Sequence, residues 1–218
     1  MSIADTLSAI KKELPPHIEL VAVSKFKHPD LIMEVYKSGQ RLFGENRPLE
    51  LRDKAQLLPA DIKWHFIGHL QTNKIKYIID KVDLIESVDS GRLLEAIDNE
   101  SLKRSLVVNC LLEVHVAKES SKQGFSIDEI EDICNRREQY KNIRICGLMT
   151  MASLTDDQEL IRSEFNQVKS LFDRLKHSIF KEDEHFNKLS MGMSGDYKIA
   201  IECGSTIVRI GSMIFGVR

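Results

Sequence analysis

A single-domain (β/α)8 barrel of the TIM type, with an extra helix at its N-terminus, is the fold the sequence predicts over residues 1–218. Three observations predict it. Short apolar runs alternate with amphipathic stretches of helical period along the whole chain. The alternation repeats as eight strand–helix units of roughly 25 residues, and parallel strands need such crossover helices. No linker rich in Gly, Ser or Pro divides the chain, and its 42% hydrophobic content suffices for one substantial core. An open doubly wound sheet usually has fewer strands, so a closed barrel fits the count better, near the lower size limit of that fold.

The elements follow in order. Ile3, Leu7, Ile10 and Leu14 stand at helical spacing and predict the leading helix over 3–13. Leu20-Val21-Ala22-Val23 is a buried strand ending at Ser24-Lys25, and Pro29 opens a helix with Leu31, Ile32, Val35 and Tyr36 on one face. Leu42-Phe43 forms the second strand, ahead of the turn Gly44-Glu45-Asn46-Arg47 and a helix opened by Pro48. Trp64 to Ile67 is the third strand, followed by a helix carrying Ile75, Ile78 and Ile79. Val82 to Ile85 is the fourth, with a helix over 91–103, and Val107 to Val116 the fifth, with Ile127, Ile130 and Ile133 on its helix. Ile143 to Met149 is the sixth, before an amphipathic helix marked by Leu160, Phe165, Val168, Phe172 and Leu175. His185 to Ser190, a short helix over Gly195 to Cys203, and Ile207 to Ile210 complete the barrel.

Composition narrows the function. A net charge of −2 offers no footprint for nucleic acid or an acidic membrane. No apolar run approaches the roughly 20 residues that cross a bilayer, and Met1 to Glu13 does not read as a signal peptide, so a cytoplasmic location is expected. Cys110, Cys134, Cys146 and Cys203 are far apart and form no CxxC pair, which argues for buried thiols rather than a zinc site or disulfides. His65 and His69, four apart on a strand, would stand about 13 Å from each other, too far for a metal pair. No metal is expected.

In such a barrel the chemistry lies just past the C-terminal strand ends, where four segments carry candidates. Lys25 closes the first strand, where desolvation and the nearby Lys27 would favour the neutral amine that imine formation requires; alternatively it reaches out to solvent. Ser190 to Asp196 leaves strand seven with Gly192 and Gly195 permitting close backbone approach and Ser194 able to cap the next helix, which suits a phosphate or an ordinary helix start. Gly211 and Ser212, directly after strand eight, could complete that anion site. Arg209 within an apolar strand needs either an acceptor on a ligand or a carboxylate, with Glu202 and Glu113 as candidates. Asn46 and Arg47 form either a polar turn or contacts to a ligand's polar edge and its anion. A phosphate-bearing aldehyde fits these demands. Pyridoxal 5'-phosphate (PLP) is one, and a sugar phosphate on a lysine-dependent aldolase is another.

At these residues the chain resembles the pyridoxal phosphate homeostasis protein family. The resemblance rests on Val21-Ala22-Val23-Ser24-Lys25, Phe43-Gly44-Glu45-Asn46-Arg47, the run from Trp64 to Lys74, Met191-Gly192-Met193-Ser194-Gly195-Asp196, and Gly204 to Gly211, in order and across nearly the whole chain. It implies a barrel like the N-terminal domain of alanine racemase, with PLP as cofactor and Lys25 as its Schiff-base residue. It further implies that Ser194, Gly211 and Ser212 hold the phosphate, that Arg209 faces the pyridine nitrogen and that Asn46 lines the pocket. Phe26 stands where the family commonly has threonine, Pro48 where it has valine, and Ser212 replaces a threonine while keeping the hydroxyl. The function implied is PLP carriage and homeostasis without turnover, supplying apo-enzymes, by a cytoplasmic protein expected to be a monomer. The alternative is a PLP-dependent racemase or isomerase. Racemases of this fold take a second base from a further β-rich domain, which is expected to be missing from a chain ending at Arg218.

Overall fold

The structure, a computed structural model, describes residues 2–116 and 123–216. Eight strands close into one parallel barrel in sequence order: β1 (Glu19–Val23), β2 (Leu42–Glu45), β3 (Lys63–Phe66), β4 (Val82–Val88), β5 (Val108–Glu113), β6 (Ile143–Met149), β7 (Lys188–Met193) and β8 (Ile207–Ile210). β8 pairs with β1 over Glu19↔Ile207 to Ala22↔Ile210, so the first and last strands seal the sheet and no edge is left.

Helix α1 (Ile3–Glu13) precedes the barrel, as expected. It starts at a capping box in which the Ser2 hydroxyl accepts from the Asp5 N–H while the Asp5 carboxylate accepts from the Ser2 N–H. The barrel helices are α2 (Pro29–Lys37), α3 (Pro48–Leu57), α4 (Gly91–Lys103), α5 (Ile127–Asn135), α6 (Gln158–His177), α7 (Tyr197–Glu202) and α8 (Ser212–Phe215). Pro29 and Pro48 both sit at helix starts, where the missing N–H has no intrahelical acceptor to lose. The third unit departs from expectation. Ile75, Ile78 and Ile79 are buried, but the segment is a six-residue 3-10 helix, Thr72–Tyr77, not an α-helix. Strand seven also lies three residues later than predicted, because Asp183 caps His185 and the Asn187 side chain donates to the Glu184 carbonyl, which holds 185–187 in a turn.

Side chains alternate between two environments. Along β5, Cys110 and Leu112 pack outward on the helices, while Leu111 points into the lumen with Val21, Leu84, Cys146 and Ile207. These residues fill the lower lumen as an apolar floor. Burying them contributes about 25 cal/mol per Å2 removed from water. The four cysteines are buried and free, as expected. Among the described residues no helix is long and apolar enough to cross a membrane.

Candidate functional site

Above the floor the lumen becomes polar. Arg209 on β8 and Glu86 on β4 are both buried inside the barrel. Arg209 Nη1 donates to the Ser190 hydroxyl at 2.5 Å and to its carbonyl at 3.1 Å, and Nη2 donates to the Thr150 carbonyl at 2.9 Å. The Ser190 hydroxyl in turn donates to Glu86 Oε2 at 2.6 Å, and His65 Nδ1 lies 2.5 Å from Glu86 Oε1. Burial alone would raise the Glu86 carboxyl, but His65, Arg209 and Ser190 together hold it below its ordinary value. The carboxylate that Arg209 requires is therefore Glu86, 3.7 Å away. It is neither of the sequence candidates: Glu202 pairs with Arg162 at the surface, and Glu113 makes no ion pair with any described residue. Sequence reasoning missed Glu86, yet the signal was available, since Leu84-Ile85-Glu86-Ser87-Val88 is as apolar a strand around a charge as that holding Arg209.

Lys25 emerges at the mouth directly after β1, but exposed rather than desolvated as expected of a strand end. Its backbone is fixed from below. Lys54 Nζ donates to Glu45 Oε1 (2.8 Å), Glu50 Oε1 (2.7 Å) and the Ser24 carbonyl (2.8 Å). The Ser24 hydroxyl donates to Glu45, and the Phe26 N–H donates to Glu50 Oε1 at 2.6 Å. Burial raises the Glu45 carboxyl against the pull of Lys54 and Ser24. Phe26 has a φ of 63°, a left-handed conformation that a bulky residue adopts at a cost of about 1–3 kcal/mol. The bond to Glu50 helps hold that turn. Lys27 donates to the Phe215 and Gly216 carbonyls. Arg47 lies over the Phe26 ring, 4.3 Å from its centroid.

Asn46, after β2, is half-buried, and its Oδ1 is buried without a hydrogen-bond partner among the described residues. Gly68 makes that packing possible, since a Cβ there would stand 2.4 Å from the Asn46 carbonyl. On the other side of Lys25, Gly211 and Ser212 follow β8 and Ser194 follows β7. Ser194 does not cap α7, as the sequence suggested; Asp196 occupies the N-cap position. Ser194 and Met213 line one cavity of about 480 Å3 with Arg162 and Lys198, so the loops after β7 and β8 meet there. A Cβ on Gly211 would come within 3.2 Å of Val23, next to the lysine strand end. In barrel order, then, Ser194, Gly211 with Ser212, Lys25 and Asn46 occupy one contiguous arc over β7, β8, β1 and β2, with Arg209 in the lumen beneath. An orphaned polar atom, two hydroxyls and a glycine strand end around one amine fit a polar, anionic ligand with a group that reacts with amines.

On the opposite side of the mouth Glu113 closes β5. Burial pushes its carboxyl up to about 7, Asp89 adds to the shift, and Arg209 and His69 oppose it. The folded state therefore holds a proton that the unfolded chain releases, and stability falls as pH rises from 4.5 to about 7. Glu113→Gln is expected to stabilise the protein by about 2–3 kcal/mol at about pH 8 and by little near pH 4, read as thermal melts across that range. His69 and His65 are, as expected, a surface and a core histidine, bonded to Asp89 and Glu86 respectively.

Comparison with known proteins places these features. The family described as the alanine racemase N-terminal domain matches residues 1–218. A pyridoxal phosphate homeostasis protein of Aquifex aeolicus is 38% identical over 201 residues, which is 92% of this chain and 87% of that protein. Its namesake in Schizosaccharomyces pombe is 37% identical over 204 residues, covering 93% and 85%. Among solved structures, PipY of Synechococcus elongatus with PLP bound superimposes with a TM-score of 0.90 at 32% identity, over 99% of this chain and 100% of that one.

Proposed function

The chain belongs to the pyridoxal phosphate homeostasis proteins, built on the alanine racemase N-terminal barrel, and from that premise we propose that it binds PLP at the barrel mouth and takes part in holding and supplying it. The observation that carries the reading is the contiguous arc of β7, β8, β1 and β2, which sets uncommitted hydroxyls and a glycine on one side of the Lys25 amine and the orphaned Asn46 amide on the other. In this reading Lys25 holds the cofactor covalently through its ε-amine. Ser194, Gly211 and Ser212 hold the phosphate, with hydroxyls and the first N–H groups of α8 as donors. Asn46 bonds the polar edge of the ring, and Arg209 faces the ring nitrogen.

When bound, PLP supplies an aldehyde that condenses with amines and a ring that withdraws electrons, the latter weakened where an arginine rather than a carboxylate meets the nitrogen. Glu86, Ser190 and Thr150 fix the Arg209 guanidinium before any ligand arrives, and the Glu45–Lys54–Glu50 cluster fixes the lysine turn. Such an arrangement suits retention better than turnover. We read the protein as a cytoplasmic monomer whose partners are PLP-dependent apo-enzymes, which the buried free thiols support as to compartment.

Borohydride reduction followed by peptide mapping tests the reading. The purified protein is expected to absorb in the visible, to lose that band on reduction, and to carry one stable cofactor adduct on Lys25. Lys25→Ala should abolish both band and adduct while leaving the melting temperature of the cofactor-free protein within about 1 °C, because the side chain is exposed. An adduct on another lysine, or none, would overturn the assignment.

A further inference from the structure

The mouth holds a second cavity that the cofactor reading does not use. It measures about 420 Å3 and opens between the ends of β5, β6 and β7. Met151, Ala152, Ile161 and Met193 give it apolar lining, and three carboxylates, Glu113, Asp156 and Asp196, line it as well, with no lysine or arginine among the described residues.

The carboxylates differ in availability. Asp196 accepts the Met193 N–H at 2.6 Å and is committed to its own turn. Asp156 is exposed at the rim. Glu113 is 6% exposed, lines the cavity and makes no hydrogen bond or ion pair with any described residue, so its carboxylate is open to a ligand there. Around it stand Asp89, which repels its charge, and Arg209 and His69, which attract it; Arg209 is already bonded to Ser190 and Thr150, and His69 to Asp89. His115 borders the same cavity. A metal ion is a poor answer, since no three His, Cys, Asp or Glu among the described residues converge to hold one.

We propose that this cavity binds a primary alkylammonium with an apolar stem, the chemistry of a lysine side chain, with Glu113 as its buried counter-ion. The apolar lining takes the stem and the carboxylate takes the ammonium. An α-amino acid fits less well. Its carboxylate lies beside its ammonium and would meet Asp156 and Asp196 with no cation in the described lining to receive it. Among the described lining residues, the groups present suit amines remote from any carboxylate, as in a lysine within a polypeptide or a simple alkylamine. A consequence, resting on the function proposed above, is that a lysine of a recipient protein could be received beside the bound cofactor.

An NMR titration of the full chain tests the site, on cofactor-free protein and on protein reduced with borohydride. The probes are n-butylamine, Nα-acetyl-lysine N-methylamide, n-butanol and butyrate. Both amines are expected to bind and shift Glu113 and its neighbours, and both neutral or anionic isosteres to fail. Glu113→Gln should weaken amine binding about tenfold or more, the loss of one charge-assisted bond. Asp156→Asn, at an exposed position, should weaken it about two- to threefold and tests the site independently of Glu113. Binding of the lysine amide at least as tight as butylamine points to a polypeptide source, and tighter butylamine to a free amine. Equal binding of n-butanol, unchanged affinity in both variants, or no amine binding would overturn the proposal. Absence of a borohydride adduct would instead sink the Lys25 assignment, leaving the titration of cofactor-free protein to decide this site on its own.

Discussion

Replacing Arg209 with leucine is expected to destabilise the protein by about 3–5 kcal/mol, measured by urea unfolding at neutral pH. The cost arises less from the lost guanidinium than from what it leaves behind. Glu86 is wholly buried and held ionised by His65, Ser190 and Arg209; without the arginine its charge sits in the lumen with only His65 and a hydroxyl to answer it. Two carbonyls, of Ser190 and Thr150, also lose donors. Because the pair is sealed from solvent, the loss should be insensitive to salt, unlike that of a surface bridge such as Arg162–Glu202. The double variant Arg209→Leu with Glu86→Leu should be considerably less damaged than the sum of the singles. A strictly additive result would show that the two residues do not act as a unit.

Gly147→Ala should be the most damaging small substitution in the barrel, costing more than about 4 kcal/mol or preventing folding. Gly147 has a φ of 150° on β6, where the register against β5 slips between Cys110 and Leu111. A Cβ there would stand 1.7 Å from the Lys188 carbonyl oxygen on β7, and two adjacent strands cannot part without breaking their ladder. Gly91 provides the control. It opens α4, and a methyl group added there would meet nothing within 4 Å, so Gly91→Ala is expected to be neutral or to stabilise by up to about 1 kcal/mol. Soluble expression and thermal melts of the two variants would check the contrast.

Much of this fold is readable because strands and helices speak in different periods. β8 is found where Ile207 to Ile210 predicted it, and β6 likewise at Ile143–Met149. The misses have local causes. Ile75, Ile78 and Ile79 satisfy a 3-10 turn as well as an α-helix, since both bury residues three apart. Strand seven reads early in the sequence because Gly192, with a φ of 94°, makes its true end look like a loop; a Cβ there would meet that of Ala200 at 2.6 Å. The site divides along a similar line. Candidates just past strand ends, such as Lys25, Asn46 and Gly211, follow from order alone. Partnerships cannot: Ser190 meets Glu86 across 104 residues and Lys54 meets Ser24 across 30. Only the closed barrel brings those atoms within bonding distance.

The apolar floor of Val21, Leu84, Leu111, Cys146 and Ile207 makes the lumen a blind well. Anything entering or leaving must share one doorway, so arrival and departure at the mouth exclude one another in time. A second protein that covered that doorway would shield its contents from water during an exchange, while residues at the far end of the barrel could vary with no effect beyond stability.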